Sequence, residues 1–159
     1  MNHPGWGALL AVGLLALAGG CQSVQVDSLF WRSAGVTQVD AETRVRQVLD
    51  EVQAGMQRES LFQVMGHVSL NYRDKAGRDY AGIREYLRQV FERYRNIRIV
   101  RTPPSVEIQG QYARAVESFG AMADPADSSG LPINIQGQTV VLLERIDGDW
   151  KILEWGPLY

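Results

Sequence analysis

The chain has 159 residues, of which 45% are hydrophobic, and this is enough for one ordinary globular core. Sixteen basic and eighteen acidic residues give a net charge of −2, so we predict no nucleic-acid partner. A single cysteine excludes an internal disulfide, and the two histidines, His3 and His67, do not have zinc-ligand spacing. We therefore predict neither a metal site nor another cofactor.

The first twenty residues differ in composition from the rest of the chain. They contain no Asp, Glu, Lys or Arg, and Ala8 to Ala18 form a continuous apolar run, ALLAVGLLALA. As a helix this run rises only about 16 Å, whereas the hydrocarbon core of a bilayer is about 30 Å thick. Such a length is typical of an export signal rather than of a membrane span. Small residues then precede Cys21, so an extended backbone can enter a peptidase there.

The stretch LAGGC, which ends at Cys21, resembles the lipobox of bacterial lipoprotein signal peptides. The resemblance implies that residues 1–20 are removed and that fatty acids such as palmitate are attached to Cys21. The chain departs from the usual pattern at Ala18, where Leu is common, and in a leader without Lys or Arg. Gln22 follows the cysteine, whereas Asp there resembles an inner-membrane retention signal. We expect a lipid anchor in the outer membrane, facing the periplasm; an uncleaved anchor or a soluble exported product stays open.

The remaining sequence predicts a lipidated tether over residues 21–39 and a folded domain over residues 40–159. Asp40 can accept a hydrogen bond from the first turn of a helix, which predicts a helix starting at Ala41. The apolar residues of this helix recur at helical spacing and form one stripe. The stripe comprises Val45, Val48, Leu49, Val52 and Met56.

A second, short helix and a short strand are predicted next. Ser60 is a suitable N-cap, and Gly66 can end this helix in a left-handed conformation. In the following segment, HVSLNY, the larger apolar residues Val68, Leu70 and Tyr72 alternate with polar ones. This alternation predicts a strand with these three side chains on one face.

The third helix is capped by Asp79 and is followed by a strand-rich region. Its stripe, the most regular in the chain, comprises Ile83, Tyr86, Leu87, Val90, Phe91 and Tyr94. Strands are predicted over residues 97–101, 106–109, 112–121, 139–146 and 150–155. Asp147-Gly148-Asp149 between the last two is a strong hairpin signal. We predict an α+β domain with N-terminal helices packed on one face of a strongly curved antiparallel sheet.

This order of elements resembles the nuclear-transport-factor-2-like superfamily, or cystatin-like cone, which includes ketosteroid isomerases and SnoaL-like cyclases. The resemblance is carried by YAGIREYLRQVF on the third helix, VEIQGQYARAV at the long strands, and ERIDGDWKILEW at the end. It covers residues 41–155 and implies a cone that encloses an apolar pocket. None of these stretches is a catalytic signature, and fold alone does not give function.

In isomerase-like members a general-base Asp precedes the third helix, and alignment through GIREY places Tyr72 near that position. A tyrosine with a pKa near 10 is a poor base at neutral pH. Glu117 shares a strand face with Phe119, and Glu154 shares one with Trp150, which predicts that both carboxylates point into the pocket. The candidate pocket residues are Tyr72, Glu117, Glu154 and Trp150, and no catalytic residue is assigned.

Two carboxylates in an apolar cone would raise each other's pKa and support proton transfer. The alternative is that each one lies on the solvent face or pairs with an arginine, the candidates being Arg98, Arg114 and Arg145.

Three functional hypotheses follow from these observations. The first is a membrane-anchored periplasmic lipoprotein whose cone binds a small apolar ligand, an envelope component or a partner protein without catalysis. The second is a SnoaL-like or ketosteroid-isomerase-like enzyme that uses acid–base chemistry in the pocket. The third is a structural homodimer of the cell envelope, paired through the open face of the sheet as the superfamily often is.

Overall fold

A computed structural model describes the backbone of residues 27–157 and the side chains of residues 38–156. The predicted signal peptide, residues 1–20, and Cys21 lie outside this range. The elements follow the chain in the order α1 (Asp27–Gln57), α2 (Leu61–Met65), α3 (Tyr80–Arg93), β1 (Tyr94–Arg101), β2 (Ser105–Gln109), β3 (Tyr112–Pro125), β4 (Ile133–Ile146) and β5 (Asp149–Pro157).

The five strands form one antiparallel sheet. Four of them lie side by side in the order β1–β3–β4–β5. The short strand β2 pairs with the first half of β3, beyond the part of β3 that pairs with β1. Register shifts occur in β1 between Arg95 and Arg98 and in the β4–β5 pair at Leu142–Leu143. Irregularities of this kind bend strands and increase their twist, which gives the sheet its curvature. The predicted α+β class, with helices packed on a curved antiparallel sheet, is confirmed.

The apolar stripes of the two long helices face the sheet and form the core. Val45, Leu49 and Val52 of α1 are at most 4% exposed, and so are Ile83 and Leu87 of α3. They pack with buried residues from the inner face of the sheet, which include Ala115, Val141, Leu143 and Ile152. The periodicity of the sequence therefore predicted most of the buried face of both helices; of the predicted α3 stripe, Tyr86 is 47% exposed and Tyr94 is the first residue of β1.

The start of the first helix was predicted wrongly. The helix begins at Asp27 rather than at Ala41, so Asp40 lies inside it and pairs with Arg44 one turn later, at 3.2 Å. Asp is a good capping residue, but it ends a helix only where the preceding chain leaves the helical conformation. No proline interrupts residues 27–57, and the helix continues through Asp40.

The second helix has its predicted cap, but the predicted strand after it is a series of turns. Gly66 adopts a right-handed conformation with φ of −60° rather than a left-handed one. Leu70 is 80% exposed, whereas Val68 and Tyr72 are buried. The Ser69 hydroxyl accepts a hydrogen bond from the backbone of Asn71, and the Ser69 carbonyl accepts one from Tyr72. Such local bonds compete with a strand ladder, and only an isolated bridge to β5 remains.

The predicted hairpin between β4 and β5 is confirmed. Ile146 pairs with Asp149, and the two residues between them have positive φ, 51° at Asp147 and 92° at Gly148. Two such residues in a row define a type I′ turn, whose twist matches that of the flanking strands. The β3 and β4 strands extend further than predicted, because the ladder continues to the Ala123–Ile133 pair.

Candidate functional site

A cavity of about 330 Å³ lies between the inner face of the sheet and the helices α1 and α3. Small-molecule sites commonly have volumes from roughly 300 to 1,000 Å³. Apolar side chains from both helices and from the strands form most of its wall. They include Leu49, Met56, Leu87, Ile99, Phe119 and Trp155.

The space exists because small side chains stand on the inner face of β3. Ala121 and Ala123 line the cavity, and neither reaches the helices as a larger residue would. Tyr86 of α3 and Ile135 of β4 also line it, yet they are 47% and 54% exposed. These two residues therefore mark the opening of the cavity to solvent.

Arg101, the last residue of β1, brings a group of polar side chains to one side of the cavity. Its guanidinium donates from Nη1 to Glu117 Oε2 at 2.5 Å, from Nε to Gln53 and from Nη2 to Asp50. Gln53 is held in place because its Nε2 donates to the carbonyl of Ile99 at 2.8 Å. Arg101, Glu117 and Gln53 all line the cavity.

The Arg101–Glu117 ion pair is buried, with exposed side-chain fractions of 9% and 6%. Burial raises the pKa of Glu117 above its ordinary value, although the charge and the hydrogen bond of Arg101 act in the opposite direction. None of the three arginines predicted as partners makes this pair. Arg101 does so because it faces Phe119 across the β1–β3 ladder, and Glu117 lies two residues away on the same face.

A second polar network lies near β5 and contains Tyr72. Its hydroxyl donates to Asp74 Oδ2 at 3.1 Å, and Arg78 Nε donates to the same carboxylate at 2.7 Å. The Arg78 guanidinium also stacks on the ring of Tyr86, 4.3 Å from its centre. Tyr72 and Arg78 line the cavity, whereas Asp74, which accepts hydrogen bonds from both, lies outside its wall.

The environment of Tyr72 makes it a hydrogen-bond donor rather than a base. Burial, followed by the charge of Asp74, raises the pKa of Tyr72 well above its ordinary value, so the phenol is protonated at neutral pH. Burial alone would raise the pKa of Asp74, but hydrogen bonds from Arg78 and Tyr72 outweigh it and hold that pKa low.

Of the four candidate pocket residues, the structure brings Tyr72 and Glu117 to the cavity and leaves Glu154 and Trp150 outside its wall. Glu154 pairs with Leu142, whereas Trp155 pairs with Val141, whose side chain faces the cavity. The cause is the bulge at Leu153, since one inserted residue moves every following side chain to the other face. Trp150 is 3% exposed and belongs to the packed core.

Residues that the sequence did not single out complete the site. Arg101 and Gln53 were missed because each lies on a different element from Glu117, and only the register of β1 against β3 and α1 brings them together. Trp155 was missed because alternation was counted through the bulge. The sequence did contain a signal for Arg101. Ile97, Ile99 and Arg101 share the inward face of one strand, so a charged residue follows two apolar ones on that face.

His67 lies away from the cavity, with Nε2 at 3.0 Å from Glu51 Oε2, and burial lowers its pKa. Within residues 27–157, no helix is both long and apolar enough to cross a membrane. The same part of the chain contains no group of three or more His, Cys, Asp or Glu side chains placed to hold a metal ion.

Neither a protein-family model nor a curated protein sequence matches the chain. Solved structures do resemble it. A scytalone dehydratase-like protein from Novosphingobium aromaticivorans superposes with a TM-score of 0.69 and 10% identity, over 79% of this chain and 89% of that one. A nuclear-transport-factor-2-like protein from Salmonella enterica has a TM-score of 0.66 and 14% identity, over 77% and 94% of the two chains.

A third similar structure is a hexachlorocyclohexane dehydrochlorinase from Novosphingobium barchaimii, with a TM-score of 0.65 and 12% identity, over 78% of this chain and 94% of that one. At this level of identity the likenesses show the fold alone. The chain therefore has the nuclear-transport-factor-2-like cone fold, and a shared fold does not by itself assign a function.

Replacing Arg101 with Met should leave the buried carboxylate of Glu117 unpaired. We expect the free energy of unfolding at pH 7 to fall by about 3–5 kcal/mol, the range for removing one partner of a buried pair. Because Arg101 lowers the pKa of Glu117, its removal should raise that pKa above the wild-type value, so the folded variant binds a proton more tightly than the wild type and the loss relative to wild type should shrink as pH falls towards 4.5, the ordinary pKa of Glu. Urea unfolding at a series of pH values measures this difference.

The control is the double variant Arg101→Met/Glu117→Leu, which removes both charges. It should be less destabilised than Arg101→Met alone, with a smaller dependence on pH. A loss in Arg101→Met that stays constant from pH 7 to 4.5 would show that Glu117 is not the cause.

Proposed function

We propose that this chain is a membrane-anchored periplasmic lipoprotein whose cone binds a small, mostly apolar molecule without catalysis. The observation that carries the proposal is the cavity of about 330 Å³, with an apolar wall and an opening at Tyr86 and Ile135. Protein interiors are otherwise close-packed, so a cavity of this size is a departure from ordinary packing. An apolar molecule of matching size would make contacts with its apolar wall.

The state of the polar groups supports binding rather than catalysis. The phenol of Tyr72 is protonated and donates to Asp74, and the carboxylate of Glu117 is paired with Arg101. A general base works best with a pKa near the working pH, and the charge and hydrogen bond of Arg101 oppose the effect of burial on the pKa of Glu117. Among the described lining residues there is no histidine or cysteine.

The enzyme hypothesis is the second candidate, and one observation favours it. Burial raises the pKa of Glu117, as expected for a group that exchanges a proton with a substrate. The similar structures also include proteins named as a dehydratase and a dehydrochlorinase. Under this alternative, the purified chain turns over a hydrophobic substrate and Glu117→Gln abolishes the turnover.

Lipidation is tested by growing cells with a fatty-acid analogue that can be coupled to a fluorophore. We expect the wild-type chain to be labelled and to fractionate with the outer membrane, since the lipobox-like LAGGC ends at Cys21. Cys21→Ala should lose the label and keep its leader. Equal labelling of the two chains would contradict acylation at Cys21.

Ligand binding is tested with N-phenyl-1-naphthylamine, an uncharged dye that fluoresces in apolar surroundings. The purified full chain should enhance its fluorescence, and Ala121→Phe should weaken binding at least about tenfold because the ring fills the cavity. The control is Val100→Phe, which adds the same ring at a residue that is 68% exposed and outside the cavity wall. Equal loss in both variants, or binding that Ala121→Phe leaves intact, would place the dye elsewhere.

A further inference from the structure

One carboxylate oxygen in the cavity wall has no protein partner. Glu117 lines the cavity with its side chain 6% exposed, and Arg101 Nη1 donates to Oε2. Within residues 38–156, no donor makes a hydrogen bond to Oε1. Among the described residues the only fully buried side-chain nitrogen or oxygen atom without a partner is Trp150 Nε1, so Glu117 Oε1 is not sealed inside the protein and is accessible from the cavity. A bound molecule with a donor group would supply the missing bond.

The charges around this oxygen favour a donor that is positive. On the β1 side of the cavity, the guanidinium of Arg101 faces two carboxylates, those of Glu117 and Asp50. Asp50 is 72% exposed and therefore partly screened, whereas Glu117 is buried and screened less; the two carboxylates and one guanidinium together carry one net negative charge. On the other side, Arg78 is balanced by Asp74.

An anionic head group fits this arrangement poorly. Three of the five N–H groups of Arg101 already donate to Gln53, Glu117 and Asp50. A ligand carboxylate at Arg101 would also stand beside the carboxylate of Glu117, and two such groups at close range repel each other unless one is protonated. An ammonium group would form a charge-assisted hydrogen bond with Glu117, and such bonds are roughly twice as strong as neutral ones.

We infer that the cavity takes a compact apolar molecule with one hydrogen-bond-donating head, an amine in preference to an alcohol, seated on Glu117 Oε1. This inference rests on the proposed function and adds the chemical class of the ligand. The apolar body lies against Leu87, Phe119 and Ala121, and the head reaches the ion pair on the β1 side.

The test compares three probes that share one rigid cage and differ only in the head: 1-adamantanamine, 1-adamantanol and 1-adamantanecarboxylate. Calorimetric titration of the purified full chain at pH 7 measures each affinity. We expect the amine to bind best, the alcohol to bind several-fold more weakly, and the carboxylate to bind at least about tenfold more weakly than the amine.

Glu117→Gln tests the role of the carboxylate, since the amide keeps the shape and removes the charge. Amine affinity should fall about tenfold, and alcohol affinity should change less than about threefold. The matched control is Glu107→Gln, the same change at a carboxylate that is 74% exposed on β2 and outside the cavity wall; it should leave all three affinities unchanged.

The outcomes separate the two proposals. Equal affinities for the three heads, strongest binding of the carboxylate, or an amine affinity that Glu117→Gln leaves intact would each overturn the ligand class while ligand binding itself stands. If none of the probes binds, and N-phenyl-1-naphthylamine does not bind either, the proposed function fails as well.

Discussion

The guanidinium of Arg101 joins three elements around the cavity. It ends β1, pairs with Glu117 on β3, and donates to Asp50 and Gln53 on α1. A buried ion pair adds little net stability over an apolar replacement, but losing one partner is strongly destabilising. The pair therefore opposes any slip of α1 or β1 against β3, because a slip would leave a charge buried alone. The cavity lies where α1, β1 and β3 meet, so the contacts of Arg101 determine both the shape of the cavity and its polar side.

The stripes on α1 and α3 and the inward position of Glu117 followed from the sequence, because helical and strand periodicity report burial directly. The partner of Glu117 did not, because it depends on the register between β1 and β3, which places Arg101 opposite Phe119. Glu154 was placed on the wrong face for a similar reason. The bulge at Leu153 inserts one residue, and residues 149–155 contain no glycine or proline that would indicate it.

The fold and the site also differ in what they require of the sequence. The cone fold is shared with structures at 10–14% identity, since many sets of apolar residues can form the same layers. The chemistry inside the cone depends on a few polar residues, and here Tyr72 is a buried donor bound to Asp74. The buried carboxylate in the cavity wall is that of Glu117, on β3.

The most direct test is to titrate the side-chain carboxyl of Glu117 by ¹³C NMR. Its signal is assigned as the one that is missing in Glu117→Gln. The titration shows whether a buried and partly unpartnered carboxylate lines the cavity. We expect its midpoint in the free protein to lie above 4.5, because burial outweighs the effect of Arg101. Bound 1-adamantanamine should lower that midpoint, since a cation stabilises the ionised form. A midpoint at or below 4.5 in the free protein, unmoved by the amine, would contradict both the buried state of Glu117 and its role in binding.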